Sequence, residues 1–249
     1  MTRVAVAFLS GEAAALGLLT IHATRPIRTS HPSRSERRWY GIAKRSFDLT
    51  TATLLLILTA PIAIFVATTI RVRSGSPVLL RQTRLGRNGR PFEMWKFRTM
   101  VLDADPAVFW QHIRDLAEAA GSESVPQPDL RIPDDPRLTS TGRSLRRWSL
   151  DELPNLVNVV FGDMSLVGPR PLLPEEVDLI RRQFGDAAAD GRSSVAPGVT
   201  GLAQVEGRDD ISMAERSHLD LQYVAERSMS LDLWLILRTV AGVFRYRGA

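Results

Sequence analysis

Between Asp48 and Arg71 the chain carries no charged side chain: Leu49 to Ile70 are 22 uncharged residues, most of them apolar. As a helix, this run is about 33 Å long, enough to cross the hydrocarbon core of a bilayer. Pro61 falls near its middle, where a proline removes one backbone hydrogen bond and clashes with the carbonyl four residues back, so a kink is expected there. Lys44 and Arg45 precede the run, and Arg71, Arg73, Arg81, Arg84 and Arg87 follow it, so neither end reads as the exported side. That symmetry suits a re-entrant element that enters and leaves on one face. A single kinked span remains the alternative on pattern alone. Trp39 and Tyr40, just before Lys44 and Arg45, suit an aromatic and basic belt at the head groups.

Downstream, the periodicity changes. Val78 to Leu85 and Phe92 to Met100 flank Arg87-Asn88-Gly89-Arg90, and Asn-Gly predicts a β-hairpin because both turn residues need positive φ. Val108, Phe109, Ile113 and Leu116 recur among charges over 101–120 as on an amphipathic helix, and Gly121 to Asp129 reads as a loop. Ser149 and Glu152 have capping-box spacing, which predicts a short helix with Pro154 in its first turn. Gly168-Pro169-Arg170-Pro171 is a stiff, extended segment projecting a guanidinium. Pro174 to Phe184 predicts a helix, while Leu202 to Val205 reads as strand-like between Gly201 and Gly207. From Met213 to Gly248 two helices are predicted. Leu233, Ile236, Leu237, Val240, Val243 and Phe244 recur at helical spacing in the second, which suits either a membrane surface or core packing.

The fold class is therefore α+β and mostly helical. It comprises an N-terminal extension over 1–38, rich in Arg, Ser and Pro towards its end, a membrane element over 39–73 and a catalytic domain over 74–249. Residues 4–21 are weakly hydrophobic but split by Glu12, which suits a surface-lying extension better than a signal peptide. The absence of cysteine excludes disulfides and thiolate metal sites, and the four histidines lack ligand spacing. A net charge of +5, nearly all of it from arginine, asks for an anionic partner. No nucleic-acid reading module accompanies that charge, so phosphorylated substrates and anionic lipid are the partners it favours.

The densest polar stretch runs from Asp134 to Arg170 and holds Arg137, Arg143, Arg146, Arg147, Asp151, Glu152 and Asp163. Two adjacent carboxylates beside a helix start, among arginines, suit Mg²⁺ and phosphoryl chemistry, and an ionised aspartate can act as nucleophile. Helix capping with a solvated arginine face accounts for the same spacing. A separate match, Asp103-Ala104-Asp105, fits the D-x-D pattern of nucleotide-sugar glycosyltransferases; a membrane-docked scaffold without enzymatic activity is a third reading.

The longer motifs decide between these. K-R-S-F-D from Lys44, R-Q-T-R-L-G from Arg81, K-F-R-T-M from Lys96, D-P-R-L-T from Asp135, S-L-D-E-L-P-N-L-V-N-V-V-F-G-D-M-S-L-V-G-P-R-P-L-L from Ser149 and P-G-V-T-G-L-A-Q-V-E-G-R from Pro197 occur in that order. Together they resemble the bacterial sugar transferases, the monotopic phosphoglycosyl transferases, from about Lys44 to the C-terminus. The resemblance implies transfer of a sugar-1-phosphate from a UDP-sugar to polyprenyl phosphate, releasing UMP, at the cytoplasmic face of the bacterial inner membrane. It implies Asp151 as nucleophile and Mg²⁺ contact, Glu152 as its assistant, and Arg146 and Arg170 as phosphate-binding. Arg98, Arg137, Gln204 and Arg208 are further candidates for nucleotide or phosphate contact, and Pro61 is the kink of a re-entrant helix. The sugar, the pathway and homo-oligomer formation stay open. Ala60 stands where the family often has serine, and Glu206 stands where Asn-Gly-Arg is usual. The extra transmembrane helices and domain of longer relatives are expected to be absent.

Overall fold

The computed structural model describes residues 34–105, 107, 108, 111, 112, 115, 132, 135–207 and 211–245. Helix α1, Arg34–Ser74, carries the apolar run and continues through Pro61. Proline cannot donate to the carbonyl four residues back. The turn before it is reinforced by Thr59, whose hydroxyl donates to the Leu55 carbonyl at 2.6 Å. Thus a hydroxyl is supplied two residues before Pro61 even though Ala60 has none. Among the described residues this is the one helix long and apolar enough to cross a membrane.

Both ends of α1 are fastened to the rest of the chain. Near its start, Asp48 accepts from the Ser165 hydroxyl at 2.7 Å and the Leu166 N–H at 3.3 Å, and Ala52 is fully buried in the main core. Near its end, Val66 and Ile70 cluster with Phe97 and Leu145. Arg98 donates from Nη2 to the Ser74 and Gly75 carbonyls, placing positive charge on the negative end of the helix dipole. Between these anchors Ile57, Leu58, Ile64 and Phe65 are each more than 60% exposed, far more than a soluble core helix leaves open.

The basic and aromatic residues read as a head-group belt largely turn inward. Tyr40 donates to Asp232 at 3.0 Å, and Lys44 lies 3.0 Å from the same carboxylate. Arg45 donates to the Val159 and Val160 carbonyls, both at 2.7 Å, at the C-terminal end of helix α3, Asn155–Phe161. Trp39 and Arg45 stay exposed, Arg45 with its guanidinium on those carbonyls. Each polar head is worth more against a buried carboxylate or a row of orphan carbonyls than sequence spacing could indicate.

Strands β1, Leu79–Leu85, and β2, Pro91–Phe97, form the expected antiparallel hairpin, with Asn88 at φ 57° and Gly89 at φ 70° in the turn. The register pairs Arg84 with Phe92 and Gln82 with Met94. Residues opposite one another share a face, as do alternate residues on one strand, so Arg84, Met94 and Lys96 come to the same side.

Helix α2, Ser140–Arg147, is capped by Thr139, whose hydroxyl accepts from the Gly142 N–H at 2.9 Å. Gly142 presses on the backbone of Thr99, where a Cβ would meet the Thr99 carbonyl oxygen at 1.9 Å. A 3₁₀ turn, Leu150–Glu152, then leads into α3. The expected Ser149 to Glu152 capping box does not form. Ser149 adopts φ 54° and makes no side-chain cap; its carbonyl accepts from the Glu152 N–H at 3.3 Å, so the backbone closes the turn itself.

Strand β3, Ser165–Val167, pairs in parallel with β4, Gly198–Thr200. Close contact needs glycine here: a Cβ on Gly198 would lie 2.1 Å from the Gly168 nitrogen, and one on Gly201 would lie 2.1 Å from the Gly168 carbonyl oxygen. Helices α4, Pro174–Phe184, and α5, Asp186–Ser193, fall between the two strands, and α4 has the predicted bounds. The stretch read as strand-like after Gly201 is instead helix α6, Leu202–Glu206, with Val205 N–H bonded to Gly201 and Gly207 N–H to Ala203. Four mostly apolar residues carry no decisive period, and Leu, Ala and Gln all favour helix. Helices α7, Met213–Glu226, and α8, Met229–Arg245, complete the order. Helix α8 buries Leu235 and Asp232 while exposing Leu233, Leu237 and Val240, so its apolar residues occupy two faces. In 101–120, Ala107, Val108, Gln111, His112 and Asp115 are helical; Phe109, Ile113, Leu116 and the loop from Gly121 to Asp129 lie outside the described residues.

Candidate active site

A polar cleft opens where the hairpin face, the start of α3 and the β3–β4 crossing meet. Arg84, Met94, Lys96, Glu152, Asn155, Arg170, Pro171, Gly198 and Gln204 contribute to its lining. Glu152, Arg170 and Gln204 are candidates that the sequence named, and the structure brings them to one cleft. Arg84, Lys96 and Asn155 were not named, because hairpin register and helix phase brought them here.

Three cations face this space with one carboxylate. Lys96 Nζ lies 2.8 Å from Glu152 Oε1. Arg84 bonds Glu176 at 3.2 Å and Gln82 at 2.8 Å, while its Nε is buried without a partner. Burial pushes the Arg84 guanidinium down from its ordinary value, and Glu176 offsets this. Arg170 is carried by the stiff segment after β3, and its backbone carbonyl is held at 2.9 Å by Arg192. Arg192 in turn is clamped to buried Asp220 at 2.6 Å. The guanidinium of Arg170 has no ion-pair partner among the described residues and is available for an anion.

Asp151 sits on the 3₁₀ turn next to Glu152, is 9% exposed and is not part of the cleft lining. Burial raises its carboxyl above the usual range and the neighbouring Glu152 charge adds to this, against the pull of Lys96 and Arg146. Arg146 also bonds Thr99 Oγ1 through Nε at 3.1 Å. Repulsion between adjacent carboxylates is what a divalent cation relieves, so this pair fits Mg²⁺ as a site that uses few protein carboxylates. Among the described residues no group of three or more His, Cys, Asp or Glu offers a metal cage.

Arg98 and Arg137 are engaged elsewhere. Arg98 is 3% exposed and caps α1. Arg137 makes a two-pronged bond to Asp135, at 2.9 and 2.8 Å, which holds the Asp135 carboxyl below its usual range. Arg143 and Arg147 are exposed, and Asp163 follows α3 near Asn158. Arg208 and Asp134 lie outside the described residues. Of the D-x-D pair, Asp105 accepts from the Ala107 N–H at 2.8 Å, and neither aspartate lines the cleft.

The sequence profile of the bacterial sugar transferases matches residues 39–246. The chain belongs to that family. It is 38% identical over 213 residues to the exopolysaccharide production protein ExoY of Sinorhizobium fredii, covering 84% of this chain and 88% of ExoY. It is 36% identical over 206 residues to the undecaprenyl-phosphate galactose phosphotransferase of Salmonella typhimurium, 83% of this chain and 41% of that protein. It is 35% identical over 204 residues to the UDP-glucose:undecaprenyl-phosphate glucose-1-phosphate transferase of Escherichia coli, 80% of this chain and 39% of that protein.

Proposed function

We propose that this bacterial sugar transferase is an undecaprenyl-phosphate sugar phosphotransferase that moves a sugar-1-phosphate from a UDP-sugar to the lipid carrier, an early membrane step of exopolysaccharide or related glycan assembly. The observation that carries it is the cleft itself: Arg84, Lys96 and Arg170 gather positive charge around Glu152 beside the buried Asp151, a setting for a diphosphate undergoing substitution.

Asp151 acts as the nucleophile. One carboxylate oxygen attacks the phosphorus that bears the sugar; an Asp–O–P bond forms, the bond to the bridging oxygen of the UMP phosphate breaks, and UMP leaves with that electron pair. A phosphate oxygen of the lipid carrier then attacks the same phosphorus, breaking the Asp–O–P bond and regenerating the carboxylate. Splitting one transfer into two displacements is what a carboxylate nucleophile offers. Lys96 holds Glu152 in place through their 2.8 Å contact, and Arg170 with Arg84 binds phosphate oxygens. Asp151 with Glu152 would hold Mg²⁺, which when bound neutralises charge on the diphosphate.

The test is nucleotide release by detergent-purified protein with Mg²⁺, undecaprenyl phosphate and a panel of UDP-sugars. UMP should appear with acceptor present, and Asp151→Asn should lower turnover by about 10⁴-fold or more, the scale seen when a nucleophile is removed. Release of UDP, or normal turnover in Asp151→Asn, overturns the reading.

The same reading makes α1 re-entrant at the cytoplasmic face of the inner membrane, bent at Pro61. Its support is that both ends of the apolar run are anchored to the catalytic domain, through Asp48 and Ala52 on one side and Val66, Ile70 and Ser74 on the other. A helix crossing the bilayer would carry one end away. Cysteines placed at Arg38 and Ser74 should both be labelled from the cytoplasmic side alone; opposite accessibility establishes a through-span.

A further inference from the structure

Two residues of the cleft lining carry an amide oxygen that has no partner. Asn155 Oδ1 and Gln204 Oε1 are both buried without a hydrogen bond, and both residues line the cleft that holds Arg84, Lys96 and Arg170. Asn155 is only 2% exposed. Buried polar atoms are nearly always satisfied in folded proteins, and leaving one unmet costs stability, so an orphan carried by a residue that lines a cleft points to a ligand that completes it. Space is kept for Gln204: a Cβ on Gly201 would stand 2.7 Å from its Oε1.

The chemistry of the missing partner follows from what surrounds it. Amide oxygens repel phosphate oxygens and need a hydrogen-bond donor. The cations of the same cleft take the anionic part of a ligand, so the amides face a neutral part that carries hydroxyl groups. Asn155 lies one helical turn beyond Glu152, beside the residues that act on the sugar-bearing phosphorus. The group attached to that phosphorus is the sugar, whereas the ribose is a second phosphate away.

We propose that Asn155 Oδ1 and Gln204 Oε1 accept hydroxyl groups of the transferred sugar, making these two residues sugar-recognition determinants. This rests on the phosphotransferase reading for the direction in which the donor lies, but binding tests it without turnover. Asn155→Leu and Gln204→Leu keep side-chain bulk and remove the acceptor. Titration calorimetry on the full chain in detergent would compare UMP with whichever of UDP-glucose, UDP-galactose and UDP-N-acetylglucosamine binds wild type most tightly.

Each variant should bind the UDP-sugar about five- to tenfold more weakly, the scale of one lost hydrogen bond, while UMP affinity changes less than twofold. The thermal midpoint of Asn155→Leu should hold or rise, because an unmet polar group has been removed. Equal weakening of UMP assigns the amides to the nucleotide and overturns the proposal. So does unchanged sugar-nucleotide affinity with a lowered midpoint, or a wild-type protein that binds none of the three donors. A wild type that binds a donor yet releases no UMP defeats the phosphotransferase reading alone, and the affinity ratios still decide the sugar contact.

Discussion

Asp232 beside α1 and Asn155 in the cleft are both buried polar side chains, 0% and 2% exposed, yet their surroundings differ in kind. Asp232 accepts from Tyr40 at 3.0 Å and Tyr223 at 2.8 Å and lies 3.0 Å from Lys44. Tyr223 also reaches the Val167 carbonyl at 3.0 Å, and its phenol is pushed up by burial and the Asp232 charge. That network ties α1, α7, α8 and β3 together with both Asp232 oxygens engaged, Lys44 Nζ meeting one of them as an ion pair and not as a hydrogen-bond donor. The cleft holds Asn155 Oδ1, Gln204 Oε1 and Arg84 Nε with nothing to bond. A satisfied network fixes a fold, and an unsatisfied one around a cleft marks where the fold expects something else.

The comparison can be broken from either side. Asp232→Ala should give the largest loss of stability, about 3 kcal/mol, because it takes the acceptor from Tyr40 and Tyr223 and leaves buried Lys44 only Asp48, 3.6 Å away. Denaturant titration in detergent reads this, and a loss under about 1 kcal/mol would mean the network is no anchor. Arg170→Ala should do the opposite. The backbone carbonyl that Arg192 holds survives the change, so the thermal midpoint should barely move, while kcat/KM falls by about 10²-fold or more. A melted Arg170→Ala protein would place that side chain with Asp232 among structural residues.

The smallest effect is on Asp151, and its sign is the informative part. Its folded pKa lies above the unfolded value, so between the two the folded state binds more protons and stability falls as pH rises through that window. With chelator present at neutral pH, Asp151→Asn should therefore be at least as stable as wild type, even though it is inactive. A clear loss of stability would show the carboxylate to be a structural support.

Several features were written locally and could be read there. The hairpin turn needs two residues at positive φ, and Asn88-Gly89 states that outright; α4 begins at a proline and ends before a glycine, so its bounds were visible. The uncharged run, the Asp151-Glu152 pair and the family motifs are also local. What failed was local evidence without a decisive period, as at Leu202 to Val205, or with an equivalent backbone solution, as at Ser149.

Sequence alone determined the family, the apolar helix and the carboxylate pair, because each is a property of neighbouring residues. Tertiary structure decided which cations serve the cleft. Arg84 and Lys96 reach it through strand register, while Arg98 and Arg137 are drawn off to a helix end and to Asp135. It also decided that Lys44 pairs with Asp232 and Arg45 bonds the end of α3, and that Asn155 Oδ1 is left unmet. A charge or an amide carries the same letter whether its partner is water, a carboxylate or a substrate. Only the burial and distance set by long-range packing choose between them.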